Sequence, residues 1–174
     1  MKKNMITATV VFLLGAVIFK ITYDVTGIPA FYSMMVTFGT VFYHFGMRLA
    51  VGGIVNARFH NHMNYRRKWF REKRFEKGLY KMLRVKKWKD RVPTFSPETF
   101  TFKRHQTEEI VQASCQAEVV HEIIMVFSFV PLVFSIWAGD AAVFLITSFA
   151  ACLLDLVFVI VQRFNRPRLL RLIR

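Results

Sequence analysis

The sequence predicts an all-α integral membrane protein with four transmembrane helices. Of its 174 residues, 54% are hydrophobic and 16% are aromatic, which is more apolar side chain than a soluble domain of this length can bury. These residues are grouped into four stretches that can each cross a hydrocarbon core of about 30 Å. The stretches are about 5–22, 29–54, 120–138 and 141–162. We expect one membrane domain, residues 1–174, with a polar interfacial segment at 57–119.

The first stretch begins like a secretory signal peptide, because Lys2 and Lys3 precede an apolar run. No cleavage site of small residues follows it, and the apolar character resumes after a short turn. We therefore expect residues 5–22 to be a retained transmembrane helix. Pro29 should open the second helix, where a missing backbone N–H is tolerated.

The second stretch contains an arginine, Arg48, well inside its apolar run. An unpaired charge in hydrocarbon is costly, so this guanidinium group needs a partner. The one acidic residue of the fourth stretch, Asp155, lies at a similar depth when each helical residue contributes about 1.5 Å. We predict a structural ion pair between Arg48 and Asp155, formed directly or through His44 or Gln162.

Between the second and third stretches, basic residues alternate with aromatic ones. Phe75, Leu79 and then Met82 or Leu83 recur at helical spacing beside lysines and arginines. This pattern predicts amphipathic helices that lie at the membrane surface. A solvated basic helix explains the same pattern, and both interpretations stay open.

The third stretch is expected to continue a helix that begins outside the membrane. Thr107 is a suitable N-cap, and two glutamates follow it in the first turn. No helix-breaking residue occurs before Pro131, so the helix should run continuously into the third span. A tight turn at Gly139 and Asp140 should then lead into the fourth span.

The distribution of basic residues predicts the orientation of the chain in the membrane. The central segment, the C-terminal tail and the first residues are basic, whereas the short loops at Asp24 and Asp140 contain no lysine or arginine. By the positive-inside rule, the central segment and both termini are cytoplasmic. The net charge of +14 then reflects contact with anionic lipid headgroups. Since no nucleic-acid-binding motif occurs, we expect membrane lipids as partners and no nucleic acid.

Glu118 and His121 are the candidate catalytic residues. On a helix they share one face with Ser114 and Glu122, at the point where the third span enters the membrane. Histidine titrates near neutral pH, and a neighbouring carboxylate can fix its tautomer, so the pair has the parts of a general base. The alternative is that these acidic residues only pair with nearby arginines.

The sequence lacks the signals of several other kinds of site. No Gly-rich phosphate loop, no zinc-protease histidine pair, no Gly-x-Ser-x-Gly elbow and no His-x-x-x-x-Asp motif occurs. His60 and His62 stand in a basic stretch, which is a poor environment for a metal cation. Cys115 and Cys152 have no metal-binding spacing. We therefore expect no metal site and no bound cofactor.

Three ordered runs resemble the glycosyl-diaponeurosporenoate acyltransferase family of small bacterial membrane enzymes. The runs are Tyr80-Lys81 with Val85-Lys86-Lys87-Trp88-Lys89-Asp90, then Glu118-Val119-Val120-His121, then Val161-Gln162-Arg163-Phe164-Asn165-Arg166-Pro167-Arg168-Leu169. The resemblance covers about residues 75–174. It implies transfer of a fatty acyl group to a hydroxyl of a glycolipid, a glycosylated carotenoid or a related lipid, at the cytoplasmic face of the bacterial cell membrane.

The resemblance also implies residue roles. His121, oriented by Glu118, would deprotonate the acceptor hydroxyl, and Asn165 or Arg163 would stabilise the oxyanion. The acyl donor, such as acyl-CoA or acyl-carrier protein as co-substrate, would be bound by a mainly basic set of residues. That set is Lys86, Lys87, Trp88, Lys89, Arg163, Asn165, Arg166 and Arg168. Two alternatives remain: another lipid-modifying transferase or reductase, and a non-catalytic membrane protein that binds anionic lipid or a partner.

Overall fold

The computed structural model describes residues 2–139 and 141–173, and within these ranges every regular element is helical. The α-helices are α1 (Lys2–Thr26), α2 (Pro29–Phe59), α3 (Glu76–Met82), α4 (Val85–Trp88), α5 (Thr107–Phe127), α6 (Pro131–Ala138) and α7 (Ala141–Leu170). Four helical stretches, α1, α2, α5 with α6, and α7, are long and apolar enough to cross a membrane. The predicted all-α class with four spans is confirmed at this level. The cytoplasmic position of the termini stays a prediction.

Helix α5 runs unbroken into the third span, as predicted, and the span is then interrupted close to Pro131. Helix α5 ends at Phe127, and α6 begins at Pro131. Proline has no backbone N–H, and its ring clashes with the carbonyl four residues earlier, so the helix cannot pass through this point without a break. The Phe127 carbonyl accepts a hydrogen bond from the Tyr43 hydroxyl of α2 at 2.9 Å instead. The neighbouring span α2 thus supplies a hydrogen-bond donor to the backbone at the break.

The ends of two other elements also differ from the predictions. The N-cap of α5 is Gln106, not Thr107, and its backbone N–H donates to the Glu109 carboxylate at 3.1 Å in a capping box. The predicted apolar stripe from Phe75 lies on the short helix α3 and its caps, and the helix does not continue into α4, because Arg84 has a φ of 49°. The predicted turn at Gly139 and Asp140 includes a residue outside the described ranges.

The spans pack in the order α1, α2, α5, α7, and α6 contacts α7. Aromatic rings fill the α1–α2 interface, where the Phe38 ring lies 5.4 Å from that of Phe12 and 5.0 Å from that of Phe19. The outward faces keep large apolar side chains exposed, among them Ile18, Trp137 and Ile146. A surface of this kind suits contact with lipid rather than water.

The beginning of the interfacial segment is attached to α5. After α2, the Asn61 backbone N–H donates to the side-chain oxygen of Gln116 at 2.8 Å, and the Gln116 amide donates back to the Asn61 side chain at 2.9 Å. Met63 and Phe70 then pack with Cys115 of α5 in a buried cluster. This attachment holds the chain near Phe70 against the α5–α7 pair.

We predict that Gly15→Val will weaken the packing of α1 on α2. A Cβ atom at Gly15 would lie 2.3 Å from the Phe38 ring, which its contacts with Phe12 and Phe19 keep in place. Overpacking of this kind costs about 1–3 kcal/mol. We expect a lower unfolding temperature in detergent. The control is Gly39→Ala, since a Cβ at Gly39 meets no atom within 4 Å; equal stability of the two variants would contradict the prediction.

Candidate active site

His121 and Asp155 face each other across the α5–α7 interface. The imidazole Nδ1 lies 2.8 Å from the carboxylate Oδ1 of Asp155. An ionised carboxylate only accepts, so the Nδ1–H donates and the Nε2 lone pair is left available. The Asp155 side chain is 1% exposed and that of His121 is 23% exposed. The buried carboxylate of Asp155 therefore orients the imidazole of His121, and part of the imidazole ring remains accessible.

Phe158 fixes the plane of this imidazole. Its ring is stacked on that of His121, with centroids 4.6 Å apart and an interplanar angle of 6°. The stacking covers one face of the imidazole, and Asp155 determines which nitrogen carries the proton. Among the described residues, none forms a hydrogen bond with Nε2. An oriented imidazole with one available ring nitrogen has the geometry of a general base.

The orientation of His121 by Glu118, predicted from the sequence, is corrected by this geometry. Glu118 is fully buried, and its two carboxylate oxygens accept from Arg163 and Arg166 of α7. The step of three residues from Glu118 to His121 does place them on neighbouring turns of α5. Asp155, on the adjacent helix, is the carboxylate that contacts the imidazole.

The ion pair predicted between Arg48 and Asp155 is present in the structure. The Arg48 guanidinium donates directly to the second oxygen of Asp155, and it also donates to the His44 carbonyl at 2.9 Å. Asp155 thus accepts from α2 through one oxygen and from α5 through the other. This one carboxylate connects three spans and orients His121.

We predict that exchanging the two charges will recover stability but not the orientation of His121. Arg48→Asp or Asp155→Arg alone places like charges together in the bundle. The double variant restores an opposite-charge pair, and a coupling energy of about 1–3 kcal/mol in detergent unfolding is expected. The orientation of the His121 imidazole should not be recovered, because His121 would then face a cation. A double variant no more stable than the worse single variant would exclude the coupling.

A second charged network connects Glu118 with Arg163 and Glu76. Arg163 donates its Nε–H to Glu76 Oε1 at 2.9 Å, and the Tyr80 hydroxyl donates to Glu76 Oε2 at 2.9 Å. Burial, together with the hydrogen bond to Glu76, raises the pKa of the Tyr80 phenol, so this group stays protonated and remains a donor. The network connects α3 to the α5–α7 pair.

Arg163 and Arg166 also hold the interfacial segment by its backbone. Arg163 donates to the carbonyls of Trp69 and Arg71 at 3.3 and 3.2 Å, and Arg166 donates to the carbonyl of Phe70 at 3.3 Å. Arg166 is 1% exposed. The sequence predicted that both arginines bind the acyl donor, but the structure places their guanidinium groups inside the protein. We interpret them as residues that position the segment.

Beside this network lies an open cavity of about 540 Å³ between the α3–α4 turn and the end of α7. Three of the residues predicted to bind the donor, Lys86, Lys87 and Arg168, line this cavity. Tyr80 and Phe164 also line it, with their rings perpendicular at 89°. We call this cavity the basic groove.

The other predicted donor-binding residues lie outside the lining of the basic groove. Trp88 donates its indole N–H to the Leu83 carbonyl at 2.9 Å, and Lys89 pairs with Asp90. Asn165 is half-buried on α7, seven residues from Phe158. Seven residues correspond to a rise of about 10 Å, so Asn165 is displaced from His121 toward the groove. An oxyanion role for Asn165 stays a prediction.

Sequence reasoning missed two members of the site. Glu76 stands in a basic stretch, where a carboxylate would be expected to remain in solvent, yet it is 3% exposed. Glu76 and Tyr80 are four residues apart, and this helical spacing could have predicted their contact. Phe158 lies in an apolar span, where nothing in the sequence distinguishes it from the other apolar residues. Among residues 2–139 and 141–173, no group of histidine, cysteine or acidic residues could hold a metal ion.

Comparison with known proteins identifies one matching family. The family model of glycosyl-4,4'-diaponeurosporenoate acyltransferase matches residues 66–174. The matched region contains His121, Asp155, the network around Glu118 and the basic groove. Helices α1 and α2 precede it, including Arg48, the partner of Asp155. No curated protein and no solved structure gives a significant match.

Proposed function

The chain belongs to the glycosyl-4,4'-diaponeurosporenoate acyltransferase family, and from this membership we propose that it transfers a fatty acyl group to a sugar hydroxyl. The acceptor would be a glycosylated carotenoid or a related membrane glycolipid. The observation that carries the proposal is the contact between His121 and Asp155, which leaves an imidazole nitrogen available beside lipid-exposed helices.

In the proposed reaction, His121 is the general base. Its Nε2 takes the proton of the sugar hydroxyl while the hydroxyl oxygen attacks the carbonyl carbon of an acyl thioester. The tetrahedral intermediate collapses with cleavage of the carbon–sulfur bond, and the imidazolium returns the proton to the leaving thiolate. Asp155 keeps the imidazole in the required tautomer and stabilises the transient imidazolium.

The cytoplasmic face is the proposed side of the reaction. The basic residues of the interfacial segment and of the end of α7 favour that side by the positive-inside rule. Acyl thioesters are made in the cytoplasm, so a donor would reach this side without crossing the bilayer. The acceptor and the acyl chain would enter laterally from the lipid that contacts the exposed apolar faces of the spans.

The proposal is tested in cells that make glycosyl-4,4'-diaponeurosporenoate but lack its acyltransferase. These cells are given the full chain and a radiolabelled fatty acid. We expect label in a carotenoid ester that mild alkali releases as fatty acid, and no such ester with the empty vector. Protein present in the membrane without any labelled ester would refute acyl transfer and favour a lipid-binding role. Label in a different glycolipid would refute the carotenoid acceptor.

A further inference from the structure

We propose that the basic groove binds the phosphorylated, nucleotide end of a coenzyme A thioester. This inference rests on the proposed function and names its acyl donor. The groove is lined by seven basic side chains and one carboxylate, Glu72. Lys77 pairs with Glu72 at 3.8 Å. The remaining basic residues are Lys81, Arg84, Lys86, Lys87, Arg168 and Arg171.

These six cations have no carboxylate partner among the described residues. Like charges held around one concavity repel each other, and a bound polyanion relieves the repulsion. The 3'-phosphate and the diphosphate of coenzyme A supply several negative charges within the size of one nucleotide. A cavity of about 540 Å³ falls within the range of small-molecule sites.

The groove is shaped by specific local contacts. Arg84 adopts a left-handed conformation, with φ 49° and ψ 39°, which is unfavourable for a residue with a Cβ atom. This turn lets residues of α3 and α4 line the same cavity, and the indole of Trp88 holds it by donating to the Leu83 carbonyl. On the opposite wall, the Arg168 guanidinium lies 3.9 Å above the centre of the Phe164 ring.

The groove lies at a suitable distance from the proposed base. Phe158, which stacks on His121, and Arg168 are ten residues apart on α7, so a rise of about 15 Å separates them. The extended pantetheine arm of coenzyme A places its thioester at a comparable distance from its phosphates. An acyl-carrier protein carries the same arm, but its folded domain needs a broad contact surface rather than a nucleotide-sized concavity. The groove therefore favours coenzyme A.

The test is equilibrium binding of radiolabelled coenzyme A to the purified full chain in detergent. For Lys86→Gln/Lys87→Gln we expect the dissociation constant to rise about 10- to 100-fold, because charge-assisted phosphate contacts are lost. The matched control, Lys68→Gln/Lys103→Gln, removes the same charge from exposed lysines outside the groove. Equal affinities of the two double variants would overturn the proposal.

A second measurement identifies the bound group. Removal of the 3'-phosphate should weaken binding to the wild-type chain but not to Lys86→Gln/Lys87→Gln, since that variant has already lost the contact. Phosphatidylglycerol nanodiscs that fully displace coenzyme A would show that the groove binds a lipid headgroup, and this would overturn the proposal. Acyl transfer that proceeds with acyl-carrier protein and not with acyl-CoA would also overturn it.

Failure of this inference is distinguishable from failure of the proposed function. Coenzyme A binding is measured without turnover, and it should be unchanged in His121→Ala. The cellular labelling assay needs no knowledge of the donor. Labelled ester without coenzyme A binding would refute only the donor. Coenzyme A binding without labelled ester would refute only acyl transfer to the sugar.

Discussion

The substitution His121→Ala is expected to lower acyl transfer by about 10²- to 10⁴-fold, the usual contribution of a positioned general base. Nδ1 of His121 is held by Asp155 and its ring by Phe158, so Nε2 is the part of the imidazole that is free to accept a proton. The measurement is the initial rate of labelled ester formation per amount of protein in the membrane. Abundance should change little, because the His121 side chain is partly exposed.

His62→Ala is the matched control for this prediction. His62 is also a histidine with one side-chain hydrogen bond, in this case between its Nδ1 and the Gln112 amide oxygen at 3.1 Å. It is exposed on the interfacial segment. We expect the control to keep its rate within about twofold of wild type, as is usual for an exposed site. Unchanged turnover in His121→Ala would remove this histidine from the mechanism.

The sequence was sufficient for the number and type of the spans, because length and hydropathy determine which helices can cross a bilayer. It was not sufficient for the interruption of the third span. Pro131 was recognised as a breaker, but the break starts at residue 128, before the proline. The proline acts on the carbonyl of Phe127, one turn earlier. Tyr43, which donates to that carbonyl, belongs to another span and carries no local signal.

The partner of His121 shows why sequence proximity was misleading. Glu118 lies one turn away on the same helix, which made it the obvious carboxylate. The sequence put His121 at the entry of the third span and Asp155 deeper in the membrane, level with Arg48. These depths were counted from the ends of the hydropathic stretches. In the structure, α5 begins at Thr107 and α7 ends at Leu170, so both helices extend beyond those edges. The antiparallel register of two such helices depends on side-chain packing, which periodicity alone does not specify.

The C-terminal arginines illustrate a different difficulty. Arg163 and Arg166 stand in the run that most specifically indicated the family, and anion binding was the natural expectation for them. Arginine is seldom fully buried unless it is paired, and here both side chains are paired with Glu118. The basic residues that do line an open cavity, including Lys86 and Arg168, could not be separated from the buried ones by sequence.

Glu118→Ala is expected to lower the free energy of unfolding in detergent by about 3–5 kcal/mol. Removing one member of a buried ion pair leaves its partners charged and uncompensated, which is the costly case for such pairs. Arg166, which is 1% exposed, would keep its contacts with backbone carbonyls and with the Phe70 ring but no carboxylate, while Arg163 would keep Glu76. The readout is thermal or denaturant unfolding of the purified chain, together with its abundance in the membrane.

Glu122→Ala is the control that separates a buried carboxylate from one at the periphery. Glu122 lies one turn further along α5, is half-buried, and accepts from the Trp69 indole at 3.0 Å. Loss of one such hydrogen bond costs about 1 kcal/mol. A Glu118→Ala variant no less stable than Glu122→Ala would show that the buried network contributes little to stability.

The conservative variant Glu118→Gln distinguishes the two roles considered for this residue. If Glu118 oriented His121, as the sequence indicated, the amide would lower turnover per folded molecule while stability stayed high. The geometry predicts the opposite order of effects, because Asp155 contacts the imidazole and the Glu118 carboxylate accepts from Arg163 and Arg166. Stability should fall, and the rate per folded molecule should stay within about tenfold of wild type, well above that of His121→Ala. A loss of rate equal to that of His121→Ala in a stable protein would assign Glu118 to the base after all.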